Sequence, residues 1–186
     1  MNKKSNSRRF KLNPSEMLEL AHFHYFTRKS TSDAVAWYVR AANCGVPLAQ
    51  SILGEILADG EMGGVDIKRA IYWWRRASIG KDSDAMTNLG RCYFYGNGVS
   101  ADNKKAIYYY RRAIKYESGE ACFNLGLMYW KGEGVRENSF TAKRYMDKAV
   151  LLGNSLAKRF LKKNTGMRLC GKGVVEGKGS EPGKGN

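Results

Sequence analysis

The chain has 186 residues, with 32 Lys and Arg against 17 Asp and Glu, a net charge of +15, and only 2 His, 4 Cys and 3 Pro. At 43% hydrophobic and 12% aromatic it has material for a core, which excludes wholesale disorder, and its length allows one domain of ordinary size, with or without tails. No apolar run reaches about 18 residues, which excludes a spanning helix, and two histidines without a dense acidic cluster leave little material for metal or acid–base chemistry.

Residues 1–13 carry Lys3, Lys4, Arg8, Arg9 and Lys11 with no acid, and are expected to be a flexible basic segment. Pro14 and Ser15 then open a helical pattern in which Glu16 and Glu19 interrupt the apolar stretch that a secretory signal requires. A cytoplasmic protein is therefore expected, with export by a specialised system left open. Cys44, Cys92, Cys122 and Cys170 have no CxxC pairing and no regular spacing, which fits reduced, structural thiols rather than a zinc cage or disulfide framework.

From here a period governs the chain. Leu53-Gly54, Leu89-Gly90 and Leu125-Gly126 recur every 36 residues, as do Ala49, Ala85, Ala121 and Ala157. Trp37, Trp73, Tyr109 and Tyr145 share the interval, each followed four residues later by an alanine. Each unit reads as two helices. Ala85, Leu89 and Tyr93 lie on one face of the first, where Gly90 lets a neighbouring helix come close. Gly96-Asn97-Gly98 breaks that helix, Asp102 caps the next, with Asp66 and Asn138 in the same place one repeat either way, and Ala106, Tyr109 and Ala113 make the second apolar stripe. One such pair cannot bury both faces, so neighbours must stack.

The first unit is shorter: 17 residues separate Leu20 from Trp37, against 20 between Leu53 and Trp73. Arg28-Lys29-Ser30-Thr31-Ser32 stands where later units have glycines. At the far end, Ala157 and Leu161 begin a first helix whose partner never follows, which would leave Phe160 and Leu161 uncovered. The expected architecture is an all-α solenoid of about four and a half two-helix repeats, with nine helices over residues 14–163. Residues 164–186 alternate glycine with lysine and are expected to be a disordered tail.

The order Ala-x-x-x-Leu-Gly-x-x-Tyr-x-x-Gly-x-Gly-Val-x-x-Asp/Asn-x-x-x-Ala-x-x-Trp/Tyr-x-x-x-Ala resembles the Sel-like repeat (SLR), a relative of the tetratricopeptide repeat. Residues 85–113 match throughout, 121–149 match with Asn138 for the acid, and 49–77 match with Leu57 for the tyrosine and with Gly60 then Met62-Gly63-Gly64-Val65 in place of Gly-x-Gly-Val. The resemblance implies a right-handed α/α superhelix acting as an adaptor or scaffold for proteins, frequent in bacteria, with no catalytic residue among the repeated positions. The secreted, cysteine-rich branch of that family carries paired cysteines in each repeat, and this chain lacks them.

Two surfaces remain as candidates. On the second helices, Arg69, Tyr72 and Arg76 are repeated one unit later by Lys105, Tyr108 and Arg112, and Arg40, Arg76, Arg112 and Lys148 should align across repeats roughly 10 Å apart. Such a basic, aromatic-bearing stripe can follow a phosphate backbone, or can simply be a solvated face. On the first helices, Asn88 and Asn124 stack in adjacent repeats, with Arg91 and Leu127 beside them. An asparagine both donates and accepts, which suits the backbone of an extended peptide; the alternative is that each bonds the loop carbonyls of its own repeat. His22 and His24 are two apart and cannot share a metal in the i, i+4 manner. No catalytic, metal or cofactor site is expected. The favoured reading is a non-enzymatic, monomeric adaptor for another protein; the alternative is a nucleic-acid or anionic-surface binder.

Overall fold

Helix ends in this chain are set by side chains that satisfy the free backbone groups of each terminus. The computed structural model describes residues 12–61 and 63–164. Most of the basic N-terminal segment and all but the first residue of the glycine-rich tail lie outside the described residues, and so do the expectations made of them.

Nine α-helices occur among the described residues: α1 Pro14–His22, α2 Thr31–Asn43, α3 Pro47–Asp59, α4 Ile67–Ile79, α5 Ser83–Tyr95, α6 Asn103–Lys115, α7 Gly119–Lys131, α8 Ser139–Leu151 and α9 Ser155–Lys163. A single π-helical turn, Phe23–Thr27, continues α1. Odd-numbered helices are the first of each repeat and even-numbered ones the second. Asp66, Asp102 and Asn138 cap α4, α6 and α8, each side chain accepting the backbone N–H three residues on. These are the caps expected from the sequence. Asp82, Ser118 and Asn154 cap α5, α7 and α9 in the same way. This second series escapes a search for recurring letters, because its members differ and Val46 takes the place in α3. The first helices end on Gly60, Gly96 and Gly132, all left-handed, with φ of 77°, 74° and 73°.

The leucine–glycine pair explains how the two helices of a repeat meet. Leu53, Leu89 and Leu125 are buried. A Cβ on Gly90 would lie 2.5 Å from Cε1 of Tyr110, one on Gly54 would overlap the Trp74 indole, and one on Gly126 would lie 3.0 Å from Cε of Met146. The space left by each glycine is thus filled by a side chain of its partner helix, one residue beyond the aromatic series that the sequence singles out. That series packs beside it: Tyr109 stacks on Tyr93 and Tyr145 on Tyr129, at 5.6 and 5.7 Å between centroids. Contacts between repeats use the loops. Gly98 seats against Ile67 and Ile71 of α4, and Gln50 donates 2.9 Å to the carbonyl of Ala42 at the end of α2.

The last helix differs. Lys162 occupies the position equivalent to Gly126 one repeat on, and it is exposed. Phe160 and Leu161 are half-buried rather than uncovered. The Phe160 ring stands edge-on to Phe123 and Trp130 of α7, with centroids 6.3 and 6.1 Å away, so α9 finds apolar cover on the preceding first helix. The half-exposed leucine of α9 is Leu156.

Candidate peptide groove

Side chains spaced i, i+4, i+7 and i+11 share one helical face. On α3 that face carries Glu55 and Asp59; on α5, Asp84, Asn88, Arg91 and Tyr95; on α7, Glu120, Asn124, Leu127 and Lys131. Adjacent first helices enclose two adjoining pockets between these side chains. The first, about 440 Å³, is lined by Glu55, Ala58, Asp59, Trp74, Asp84, Asn88, Arg91 and Glu120. The second, about 110 Å³, is lined by Arg91, Phe94, Tyr95, Tyr110, Glu120, Asn124, Leu127, Met128, Lys131 and Glu133. Arg91 and Glu120 border both and approach to 3.6 Å, so the pockets read as one groove with an ion pair across its waist.

All four groove residues expected from the sequence, Asn88, Arg91, Asn124 and Leu127, line this groove. Asn88 Nδ2 donates to Glu55 Oε1 at 3.4 Å, across to the neighbouring repeat rather than to a loop carbonyl, and Asn88 Oδ1 accepts from Arg91 at 3.4 Å. Asn124 Nδ2 is closed off from solvent and has no hydrogen-bond partner. A buried amide donor left unpaired is costly, and such donors are few in native proteins.

The acids of the groove are not among the residues picked out by sequence. Burial raises the Glu55 carboxyl above its usual range, and nearby Asp84, Asp82 and Asp59 push the same way; the Asn88 bond partly opposes them. Asp84 is raised by burial and then by Asp82. One signal was available in the sequence. Asp84 and Glu120 are 36 residues apart on first helices, whereas the second helices α4 and α6 contain no acid at all.

The basic stripe occupies matching places on α2, α4, α6 and α8, and much of it has internal partners. The Arg40 guanidinium lies 4.4 Å from the Trp37 ring centroid, and that of Arg76 lies 5.3 Å from the Trp73 ring. Arg112 donates 3.0 Å to the carbonyl of Ser78 near the end of α4, tying one repeat to the next. Arg69 and Lys105 pair with the capping acids Asp66 and Asp102, at 3.9 and 3.3 Å. Lys148 is exposed. Of the cysteines, Cys92 and Cys122 are buried, which pushes both thiols up and makes them poor nucleophiles. No helix among the described residues is long and apolar enough to cross a membrane.

The Sel1 repeat family model matches four stretches of the chain: residues 17–46, 47–81, 83–115 and 119–154. No curated protein matches it. Among solved structures, it is similar to a Sel1 repeat protein from Oxalobacter formigenes, at 31% identity and a TM-score of 0.74, over 81% of this chain and 63% of that one. It is similar, too, to a protective antigen with an SLR fold from uropathogenic Escherichia coli, at 28% identity and a TM-score of 0.73, over 81% of this chain and 33% of that one. With Helicobacter pylori cysteine rich protein B, at 22% identity and a TM-score of 0.55, over 74% of this chain and 99% of that one, it shares the fold alone. The chain therefore spans less than two thirds of the first two structures. Four matched repeats, capped helix pairs and glycines filled by partner side chains agree: the chain belongs to the Sel1 repeat family, whose members commonly serve as protein-interaction scaffolds.

Proposed function

We propose that the protein is a non-enzymatic adaptor that holds an extended segment of a partner protein along the face of α3, α5 and α7. The observation that carries this reading is the groove itself, which runs across two repeat junctions and is lined by Asn88 and Asn124 in equivalent places. A peptide carbonyl would draw the Asn124 amide toward the groove, and Asn88 would exchange its long bond to Glu55 for a second peptide contact one repeat away. The adaptor acts as a monomer, because Lys158, Arg159, Lys162 and Lys163 surround Phe160 and Leu161 and would repel the same charges on a second copy. The test is affinity purification with the full chain from its native cell, with and without nuclease. A specific protein should be retained under both conditions and lost when Asn88 and Asn124 are changed together to Ala. Wild-type retention by that double variant would remove the groove from consideration.

A second reading keeps the basic second helices as a binder of nucleic acid or another anionic surface. It is favoured by Tyr72 and Tyr108, which stay 53% and 55% exposed between the arginines and lysines of α4 and α6. Fluorescence anisotropy with a generic oligonucleotide separates the two readings. Binding that falls steeply with salt and weakens on changing Arg69 and Lys105 to Ala supports the stripe, and no binding at low salt ends it.

A further inference from the structure

The second helices α4 and α6 and the larger groove pocket carry charge of opposite sign. Lys68, Arg69, Arg75 and Arg76 on α4, with Lys104, Lys105, Arg111, Arg112 and Lys115 on α6, make the second helices strongly basic. The larger groove pocket is the reverse. Glu55, Asp59, Asp84 and Glu120 line it against the single cation Arg91, and Arg91 is already engaged with Glu120. Glu55 is half-buried beside these carboxylates, whereas Asp59, Asp84 and Glu120 stay exposed at the pocket rim. An excess of anions in a recess of a chain with net charge +15 is a local feature that runs against the global field.

The neighbouring pocket has a different chemistry. Phe94, Leu127 and Met128 supply apolar wall, and Asn124 lines the same recess, with its Nδ2 unpaired and turned away from solvent. This apolar wall is independent of the acids and suits an apolar side chain, with Asn124 beside it as a side chain able to bond a carbonyl. A backbone carbonyl flanked by an apolar side chain supplies both. Neighbouring first helices lie roughly 10 Å apart and an extended chain advances about 3.3 Å per residue, so the two pockets are about three residues apart along a bound strand.

We propose that the groove selects an extended peptide bearing a lysine or arginine, seated among Glu55, Asp59 and Asp84, and an aromatic or aliphatic side chain about three residues away, seated against Phe94 and Leu127. This rests on the adaptor reading given above and adds the chemistry of the partner segment. The basic residue relieves the crowded carboxylates, the apolar one fills the second recess, and the strand between them offers a carbonyl to Asn124. The selection also has the opposite sign to the protein's net charge, which makes it recognisable: the overall field attracts anionic peptides, so a preference for cationic ones has to come from the groove.

The test uses the full chain and an array of twelve-residue peptides. Each peptide carries one Phe with a Lys, Gln or Glu placed two, three or four residues from it in a Gly/Ser background. Peptides with Lys should be retained at least tenfold better than those with Glu at the same spacing. That preference should fall to near unity in the Glu55→Gln, Asp84→Asn double variant, whose fold is checked by circular dichroism, and should shrink as salt is raised. Changing Asn124 to Ala should weaken binding of the Lys and Gln peptides alike. Retention without a charge preference, a preference for Glu, or an unchanged preference in the double variant overturns this proposal and leaves the adaptor reading standing. Failure of every peptide to bind, in wild type and variants, overturns both.

Discussion

The interior repeats and the terminal half repeat share the alanine and leucine of their first helices and part at the next residue. Ala85-Leu89-Gly90 on α5 becomes Ala157-Leu161-Lys162 on α9. Where glycine stands, a side chain of the partner helix (Trp74, Tyr110 or Met146) fills the space of the missing Cβ and the two helices close on each other. Where lysine stands, no ring can be seated in that manner, and the apolar side chains of α9 turn instead to α7. This position therefore distinguishes the interior first helices from α9 in what they seat, while the alanine–leucine stripe identifies both as first helices.

The strongest way to break this comparison is to put a side chain where a ring now sits. Gly90→Leu should cost about 3 kcal/mol or more in urea denaturation, because the Tyr110 ring is rigid and already closer than a Cβ tolerates. Lys162→Leu should change stability by less than about 0.5 kcal/mol. Equal effects at the two sites would end the argument. Next in size, Phe160→Ala removes the half-buried ring that covers Phe123 and Trp130, and should cost about 2 kcal/mol. No measurable loss would mean that α9 does not close the stack.

Smaller effects sharpen the picture within the repeats. Ser118 caps α7 and meets the Thr87 hydroxyl at 2.9 Å, joining two first helices. Ser118→Ala should cost about 1 kcal/mol by thermal denaturation, and an unchanged midpoint would show the cap to be replaceable by water. Glu55→Gln tests the groove by pH. The Glu55 carboxyl is raised in the folded protein, so the stability tied to its protonated form is present below the usual carboxylate range and lost as pH rises through the raised value. The variant should therefore melt higher than wild type at neutral pH, and the gain should vanish as pH falls below that range. A gain independent of pH would remove the crowding of acids as its cause. The smallest effect is expected in the first repeat, where Ala21 takes the glycine's place opposite Tyr38. The Tyr38 hydroxyl is buried without a partner, which pushes its pKa up to about 12, whereas Trp74 in the next repeat donates to the Ser51 carbonyl at 3.2 Å. Tyr38→Phe should be neutral or stabilising by up to about 1 kcal/mol, and a clear loss would reveal a partner for the hydroxyl.

The sequence by itself determined the repeat, the pairing of helices and the caps of the second helices, because these depend on local periodicity and on residues whose backbone chemistry is short-range: alanine, glycine, aspartate. It picked out Asn88 and Asn124 for the same reason, since identical residues in equivalent places must share a face. Tertiary structure decided what fills each glycine, because Trp74, Tyr110 and Met146 share a place in space and not a letter. It decided, too, that Asn88 reaches across to Glu55 while Asn124 is left without a partner, that Arg112 is tied to the preceding repeat, and that Phe160 is covered. Each of these contacts joins residues of different helices, and its energy depends on burial and on what stands opposite, neither of which a one-dimensional period contains. The acidity of the groove belongs with them: Glu55, Asp84 and Glu120 become one electrostatic object only when three successive first helices lie side by side.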